Sequence, residues 1–193
     1  MNIVPLISIK KGDIYNGDNG TVLSLDDLFG SAEKDTMLYV LDLDGIEHNN
    51  PNLELYQRLS EQYTLWIDNG PRRIDDVMDT IMAGATNLTL RLQYWPTMNL
   101  SEVNELTDDE VYLAYDLSSP ESSRSIPFDI TGIVVFNEPP HDETEFLTTS
   151  HLKNRATTLK TYLYTAPPDA KGYWENQGLT GILVDLKKKE EYH

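Results

Sequence analysis

The sequence contains no cysteine, which excludes disulfide bonds, thiolate catalysis and cysteine-ligated zinc or iron–sulfur sites. It has no apolar run of the roughly 18 residues that a membrane-spanning helix needs. Met1 leads directly into a predicted strand, without the basic and apolar regions of a signal peptide. No nucleotide-binding phosphate loop, dinucleotide fingerprint or metalloprotease motif occurs, and the histidines lack metal-ligand spacing. These absences predict a cytoplasmic protein with no cofactor and no metal.

Positive charge is also scarce. Lysine and arginine total 15 against 32 aspartates and glutamates, which gives a formal net charge of -17. A nucleic-acid backbone or an acidic membrane surface would be repelled by this charge, so neither is an expected partner. Solubility, or a salt-adapted cytoplasm, is the plain explanation for the acidic excess.

Strand-like segments recur along the whole chain. Most are continuous apolar runs, which are typical of strands covered on both faces. The eight predicted strands are residues 3–9, 37–43, 63–68, 87–92, 111–116, 132–137, 159–165 and 181–186. Helical patterns lie between several of them, most clearly over residues 75–83, and Ser24 and Asn52 are predicted helix N-caps. This alternation predicts a parallel sheet with helices outside it.

Eight such strands predict an α/β fold in which one small (β/α)8 TIM-like barrel spans residues 1–193, with half-barrels at about 1–107 and 108–193. Such barrels typically have about 250 residues, so the helices must be trimmed, and an open doubly wound sheet is the alternative. A loose internal repeat favours the barrel, although chance similarity between two βαβ units also explains it. On that alignment Ser8 corresponds to Asp116.

Carboxylates and turn residues gather where the predicted strands end, which is where ligands bind in parallel α/β folds. Asp42 and Asp44 lie at the end of the second strand, and they either contact substrate, cap the next helix or bind the barrel rim. Asp116 ends the fifth strand and Asn137 the sixth. Asp116 is the strongest single catalytic candidate by this placement.

Three motifs of the first half resemble one enzyme family. They are IVPLISIKK at residues 3–11, YVLDLDG at 39–45 and DNGPRRIDDV at 68–77. They are similar to motifs of the histidine-biosynthesis barrel family, which comprises the phosphoribosylformimino-aminoimidazole carboxamide ribotide isomerase and the cyclase subunit of imidazole glycerol phosphate synthase. The isomerase and its archaeal isomerase-related branch look closest. The resemblance is good over residues 37–92 and weak over the second half.

The resemblance implies acid/base isomerisation, of the aldose–ketose type, of a small phosphorylated sugar-like substrate. The family uses an aspartate at the end of strand one and another at the end of strand five, because protons move at two places on the substrate. The corresponding catalytic positions here are Ser8 and Asp116. A serine is not a general acid or base near neutral pH unless a neighbour activates it.

The resemblance also implies phosphate binding by glycine turns. Gly70 is retained beside Asn69, while Arg72 and Arg91, or the lysines at 187–189, could grip a phosphate with side-chain cations. The predicted substrate-binding residues are Asp42, Asp44, Asn69, Gly70, Arg72, Arg91 and Asn137. The alternative is a catalytically inactive barrel that serves as a ligand-binding or assembly protein, and a homo-oligomer is also open. Fold alone does not choose between them.

Overall fold

The computed structural model describes residues 1–18, 20–31, 34–115, 127, 129–136, 159–164, 168–176 and 178–192. The first third contains β1 (Asn2–Lys10), β2 (Asp13–Asn16), β3 (Val22–Leu23), α1 (Leu25–Ser31), β4 (Thr36–Asp42), α2 (Leu43–His48) and α3 (Leu53–Leu59). Next come β5 (Tyr63–Asp68), α4 (Ile74–Met82), β6 (Ala85–Leu90), α5 (Leu100–Leu106) and β7 (Val111–Tyr115). The remainder contains β8 (Gly132–Val135), β9 (Lys160–Tyr164), α6 (Lys171–Asn176) and β10 (Gly181–Asp185), with 3₁₀ turns at Pro168–Ala170 and Leu186–Tyr192.

The sheet closes on itself. β1 and β4 to β10 pair in order, every neighbouring pair is parallel, and β10 returns to pair with β1 from Asn2 opposite Gly181 to Leu6 opposite Asp185. This closure confirms the predicted (β/α)8-type barrel and excludes the open doubly wound sheet. The trimming of the helices is also confirmed for the described part of the chain, where the longest, α4, has 9 residues.

Apolar side chains fill both sides of the barrel wall. The outer core lies between the sheet and the helices and includes Leu38, Leu65 and Val77. The inner core occupies the barrel interior and is unusually aromatic. The Trp66 ring lies 5.0 Å from Tyr39, 4.2 Å from Tyr112 and 4.9 Å from Tyr162, measured between ring centroids. Ring pairs of this kind contribute about 0.5–1.5 kcal/mol each beyond area burial. The interior is therefore packed, and a ligand site has to lie at an end of the barrel.

A β-hairpin absent from the prediction follows β1. Its strands β2 and β3 continue the sheet in antiparallel fashion beside β1. Lys11 and Gly12 form the tight turn between β1 and β2, with φ of 53° and 77°, the positive values that a type I′ turn requires at both positions. The chain then enters α1 at Ser24, whose hydroxyl accepts the Asp27 N–H at 3.1 Å as the predicted N-cap.

None of the helices in the described parts of the chain combines the length and apolar character needed to cross a membrane.

Candidate functional site at the mouth of the barrel

The parallel strands bring their last residues to one rim, called here the mouth. Side chains alternate along a strand, so residues two positions beyond an inner-core residue also face inward. Leu6, Trp66 and Leu183 belong to the inner core. Ser8, Asp68 and Asp185, two residues further along each strand, therefore face the mouth. Polar groups thus replace apolar ones at the level where the strands end.

A cleft of about 580 Å³ opens at this mouth. One wall is the tip of the hairpin that follows β1, and the opposite wall is made by the ends of β4, β8, β9 and β10. The polar residues that line it are Asn16, Asp18, Thr21, Tyr164, Asp185 and Lys188. A concave site with a few convergent polar groups is the usual form of a small-molecule site.

Tyr164, Asp185 and Lys188 are linked in a row along the cleft wall. The Tyr164 hydroxyl donates to Asp185 Oδ1 at 2.9 Å and accepts the Asp18 N–H at 2.9 Å. The Lys188 ammonium lies 3.1 Å from Asp185 Oδ2. Burial raises the pKa of Tyr164 above its usual value, so the phenol stays neutral and donates a hydrogen bond to the carboxylate. The row presents an oriented carboxylate to the cleft.

The hairpin packs so closely on Asp185 that only glycine fits at one position. Gly17 has a φ of 70°, and a Cβ added there would lie 1.9 Å from Asp185 Oδ1. Its N–H donates to the Leu6 carbonyl at 3.1 Å. The Asn16 side-chain oxygen accepts the Lys187 N–H at 2.8 Å. These bonds fix the hairpin over the ends of β1 and β10 and so form the wall of the cleft.

Ser8, the predicted counterpart of the strand-one aspartate, is fully buried. Its hydroxyl donates to the backbone carbonyl of Asp18 at 3.2 Å, in the tip of the hairpin. A carbonyl acceptor orients the hydroxyl but does not remove its proton. The described surroundings of Ser8 therefore give it a structural hydrogen bond.

Asp42 caps the helix that follows its strand. Its carboxylate accepts the N–H of Gly45 at 3.1 Å and of Asn52 at 2.8 Å, the Asn52 side-chain amide at 3.0 Å and the Tyr56 hydroxyl. Burial raises the pKa of Asp42, although these donors act in the opposite direction. Asn52 is the N-cap residue of α3, as predicted, but its side chain makes no capping hydrogen bond. It binds the Asp42 carboxylate instead, because a buried carboxylate needs donors.

Asp44 fixes the turn between β1 and β2. It accepts the N–H of Lys11 at 2.7 Å, the N–H of Gly12 at 2.9 Å and the Asn52 amide at 3.0 Å. Burial would raise the pKa of Asp44, but the three donors together hold it below the usual value. The two predicted substrate carboxylates therefore both accept hydrogen bonds from the chain itself.

Arg91 and Asp68 form a two-bond ion pair beneath the rim. Arg91 Nε lies 2.9 Å from Asp68 Oδ1 and Nη2 lies 2.7 Å from Oδ2. The Tyr39 hydroxyl donates to the same carboxylate at 3.0 Å, and the guanidinium lies 5.2 Å from the Phe136 ring centroid. Burial alone would lower the pKa of Arg91, but Asp68 raises it above its usual value. The charge of Arg91 is thus balanced within the protein.

Asn69, Gly70 and Arg72 lie together after β5. Asn69 donates to the Thr80 hydroxyl at 2.8 Å, and Gly70 has a φ of 63°. Arg72 Nη2 donates to the Ile46 carbonyl at 3.1 Å. Arg72 Nε is buried and has no hydrogen-bond partner among the described residues. Of the two arginines predicted to contact an anion, Arg72 has a buried N–H group without a described partner, whereas Arg91 is paired with the Asp68 carboxylate.

Asp116 and Asn137 lie outside the described residues. Asp116 directly follows Tyr115, the last residue of β7, so its predicted catalytic role stays a prediction. Within the described ranges, no group of three or more histidine, aspartate or glutamate side chains is arranged to hold a metal ion.

Sequence reasoning did not single out Asp18, Tyr164 or Asp185 for the site. Asp185 is the last residue of β10 and the next-to-last residue of the eighth predicted strand, and that position was a usable signal. Asp18 gave no such signal, because its hairpin has a second strand of only two residues. Lys188 belongs to the lysine run that was predicted to grip a phosphate.

A comparison of the chain with models of known protein families gives no match, and a search of curated proteins also gives none. The resemblance to the histidine-biosynthesis barrels therefore stands on the sequence motifs alone.

Proposed function

We propose that the protein is an enzyme that isomerises a small phosphorylated, sugar-like metabolite by acid/base catalysis at the mouth of the barrel. The observation that carries the proposal is the 580 Å³ cleft at the carboxyl ends of the parallel strands. Barrel enzymes bind their substrates at this end, because the strand ends and the loops after them converge there. The cleft combines hydroxyl, amide, carboxylate and ammonium groups, which suits a polyhydroxylated ligand.

The acid/base role is assigned to Asp116 through the family resemblance. An aldose–ketose isomerisation removes a proton from one carbon and delivers a proton to its neighbour, so a titratable group is required at the mouth. Ser8 replaces the other family aspartate and donates to a backbone carbonyl. A carboxylate at another position must therefore serve on the side of β1.

The phosphate is assigned to the turn around Gly70 and Arg72. Gly70 has the positive φ that lets the backbone turn closely, and Arg72 Nε is a buried donor without a described partner. A phosphate oxygen would supply that partner through a charge-assisted hydrogen bond. Arg91 is the weaker assignment because Asp68 already occupies its guanidinium.

The second candidate is a non-catalytic barrel that binds a ligand or takes part in an assembly. One specific observation favours it: Asp42, Asp44 and the Asp68–Arg91 pair are all engaged by groups of the chain itself. In such a protein the carboxylates would maintain the shape of the mouth and would not take part in chemistry.

Complementation of a histidine auxotroph that lacks the ribotide isomerase separates these candidates. The native chain, Asp116→Asn and Ser8→Asp are each expressed, with protein levels confirmed by immunoblot. Asp109→Asn serves as the matched control, because Asp109 is exposed in the loop before β7, at the opposite end of that strand. Growth with the native chain and the control, but not with Asp116→Asn, supports the isomerase. No growth with either the native chain or Ser8→Asp removes the ancestral reaction and favours the binding protein.

A further inference from the structure

The charges of the described cleft do not suit an anion. Among the described residues that line the cleft, Asp18 and Asp185 contribute two carboxylates and Lys188 contributes the cation. That cation already lies on Asp185, 3.1 Å from Oδ2. The chain as a whole carries a formal net charge of -17, which adds a background repulsion for any phosphate that enters.

The contacts of Asp185 leave one carboxylate oxygen, Oδ2, at which a ligand can replace the present partner. Oδ1 accepts the Tyr164 hydroxyl, and that hydroxyl is held in turn by the Asp18 N–H. Among the described residues, the partner of Oδ2 is the ammonium of Lys188, whose side chain is 57% exposed, whereas the Asp185 side chain is 16% exposed. An exposed ion pair of this kind contributes about 0–1 kcal/mol, so water or another cation displaces the lysine readily.

From this arrangement we infer that Asp185, in the cleft beside β10, binds a part of a small molecule that carries both an ammonium group and a hydroxyl group, and that Lys188 occupies the ammonium position when the ligand is absent. A ligand ammonium replaces Lys188 at Oδ2, and a ligand hydroxyl contacts the row formed with Tyr164. The inference builds on the proposed function, because it assigns the part of the ligand that is not phosphate. It also supplies a carboxylate on the side of β1 where Ser8 lacks one, since Asp185 is paired in register with Leu6.

Three ligands of one carbon skeleton test the inference. They are 3-amino-1,2-propanediol, which is a cation, glycerol, which is neutral, and glycerol 3-phosphate, which is an anion. Binding to the isotope-labelled full chain is followed by NMR titration of backbone amides, which measures millimolar affinities and locates each ligand. The variants are Asp185→Asn and Lys188→Ala. Their matched controls are Asp79→Asn on the outer helix α4 and Lys187→Ala, neither of which lines the cleft.

The amine is expected to bind more tightly than glycerol and to shift the amides of Gly17, Thr21 and Asp185. Asp185→Asn should weaken the amine about tenfold or more, since a hydrogen bond to a charged group is lost. Lys188→Ala should strengthen it about two- to fivefold, because an internal competitor is removed. The controls should change neither affinity. Equal binding of amine and glycerol, or binding outside the cleft, or no binding at all, overturns the inference.

Titration with glycerol 3-phosphate distinguishes failure of the inference about Asp185 from failure of the proposed function. Glycerol 3-phosphate is expected to shift amides near Gly70 and Arg72 and to leave the cleft unperturbed. If it binds in the cleft and Lys188→Ala weakens it, the inference is overturned while phosphate recognition stands. If it binds nowhere while the amine behaves as expected, phosphate recognition fails and the inference holds.

Discussion

Replacing Arg91 with methionine tests the buried ion pair that supports the mouth. Arg91 gives Asp68 two hydrogen bonds at 2.9 and 2.7 Å, and the Asp68 side chain is 0% exposed. Methionine keeps much of the volume beside Phe136 but removes both donors. Of the described donors to this buried carboxylate, the neutral Tyr39 hydroxyl then remains.

The expected cost follows from leaving that charge unpaired. Removing one member of a buried ion pair typically destabilises a protein by about 3–5 kcal/mol. Asp68→Asn should cost less, about 1–3 kcal/mol, because the asparagine amide oxygen can still accept a hydrogen bond from Arg91, whose side chain is 16% exposed. The double variant Asp68→Asn/Arg91→Met should be more stable than Arg91→Met alone, since it contains no unpaired buried charge.

Urea unfolding at neutral pH, followed by tryptophan fluorescence, measures these values, because Trp66 is buried next to the pair. The m-value should stay constant across the set, so that a change in midpoint reports stability. Arg73→Met is the control: its side chain is 72% exposed, and its midpoint should match that of the native protein. A loss below about 1 kcal/mol in Arg91→Met, or simple additivity in the double variant, would refute the reasoning.

Three further predictions concern the hairpin and the inner core. Gly17→Ala should weaken amine binding and lower the unfolding midpoint, because the new Cβ would lie 1.9 Å from Asp185 Oδ1 in a backbone with a φ of 70°; unchanged titration and unfolding curves would disprove the close approach. Asp44→Asn should destabilise the protein at pH 7 by about 1–3 kcal/mol, because its two oxygens accept three donors. The pKa of Asp44 is lowered in the folded protein, so its stabilisation is full above the unfolded value near pH 4 and disappears as the pH falls through the folded pKa; unfolding curves of native and variant should converge in acid, and a constant gap would contradict this. Trp66→Ala should cost about 3–5 kcal/mol by chemical denaturation, since the ring fills the inner core, and a cost near zero would mean that the barrel interior is not packed as described.

Much of the barrel could be predicted from apolar periodicity. The parallel strands of the barrel are buried on both faces, so each appears in the sequence as a continuous apolar run, such as Leu65 to Ile67. Closure followed from counting such runs. The hairpin could not be found in this way, because β3 has two residues, and because the turn that leads from β1 into β2, Lys11-Gly12, is not one of the frequent hairpin dipeptides.

The site was harder to predict because polar residues at a strand end have two uses. Asp42 and Asp185 both end a buried strand, and nothing in the sequence tells them apart. The difference lies in the loop that follows each one. After β4 the chain returns Asn52 and Tyr56 to Asp42, whereas Asp185 meets an exposed lysine at the wall of a cleft. Such contacts depend on tertiary structure and leave no local pattern.

The most direct test of the central claim, that ligands bind at the carboxyl-terminal mouth of a closed parallel barrel, is a crystal structure of the full chain with D-ribose 5-phosphate. Its sugar should lie between the hairpin and the ends of β9 and β10, with the phosphate toward Gly70 and Arg72. A sugar bound at the opposite end of the barrel or on the outer helices, or a sheet that fails to close between β1 and β10, would contradict the account.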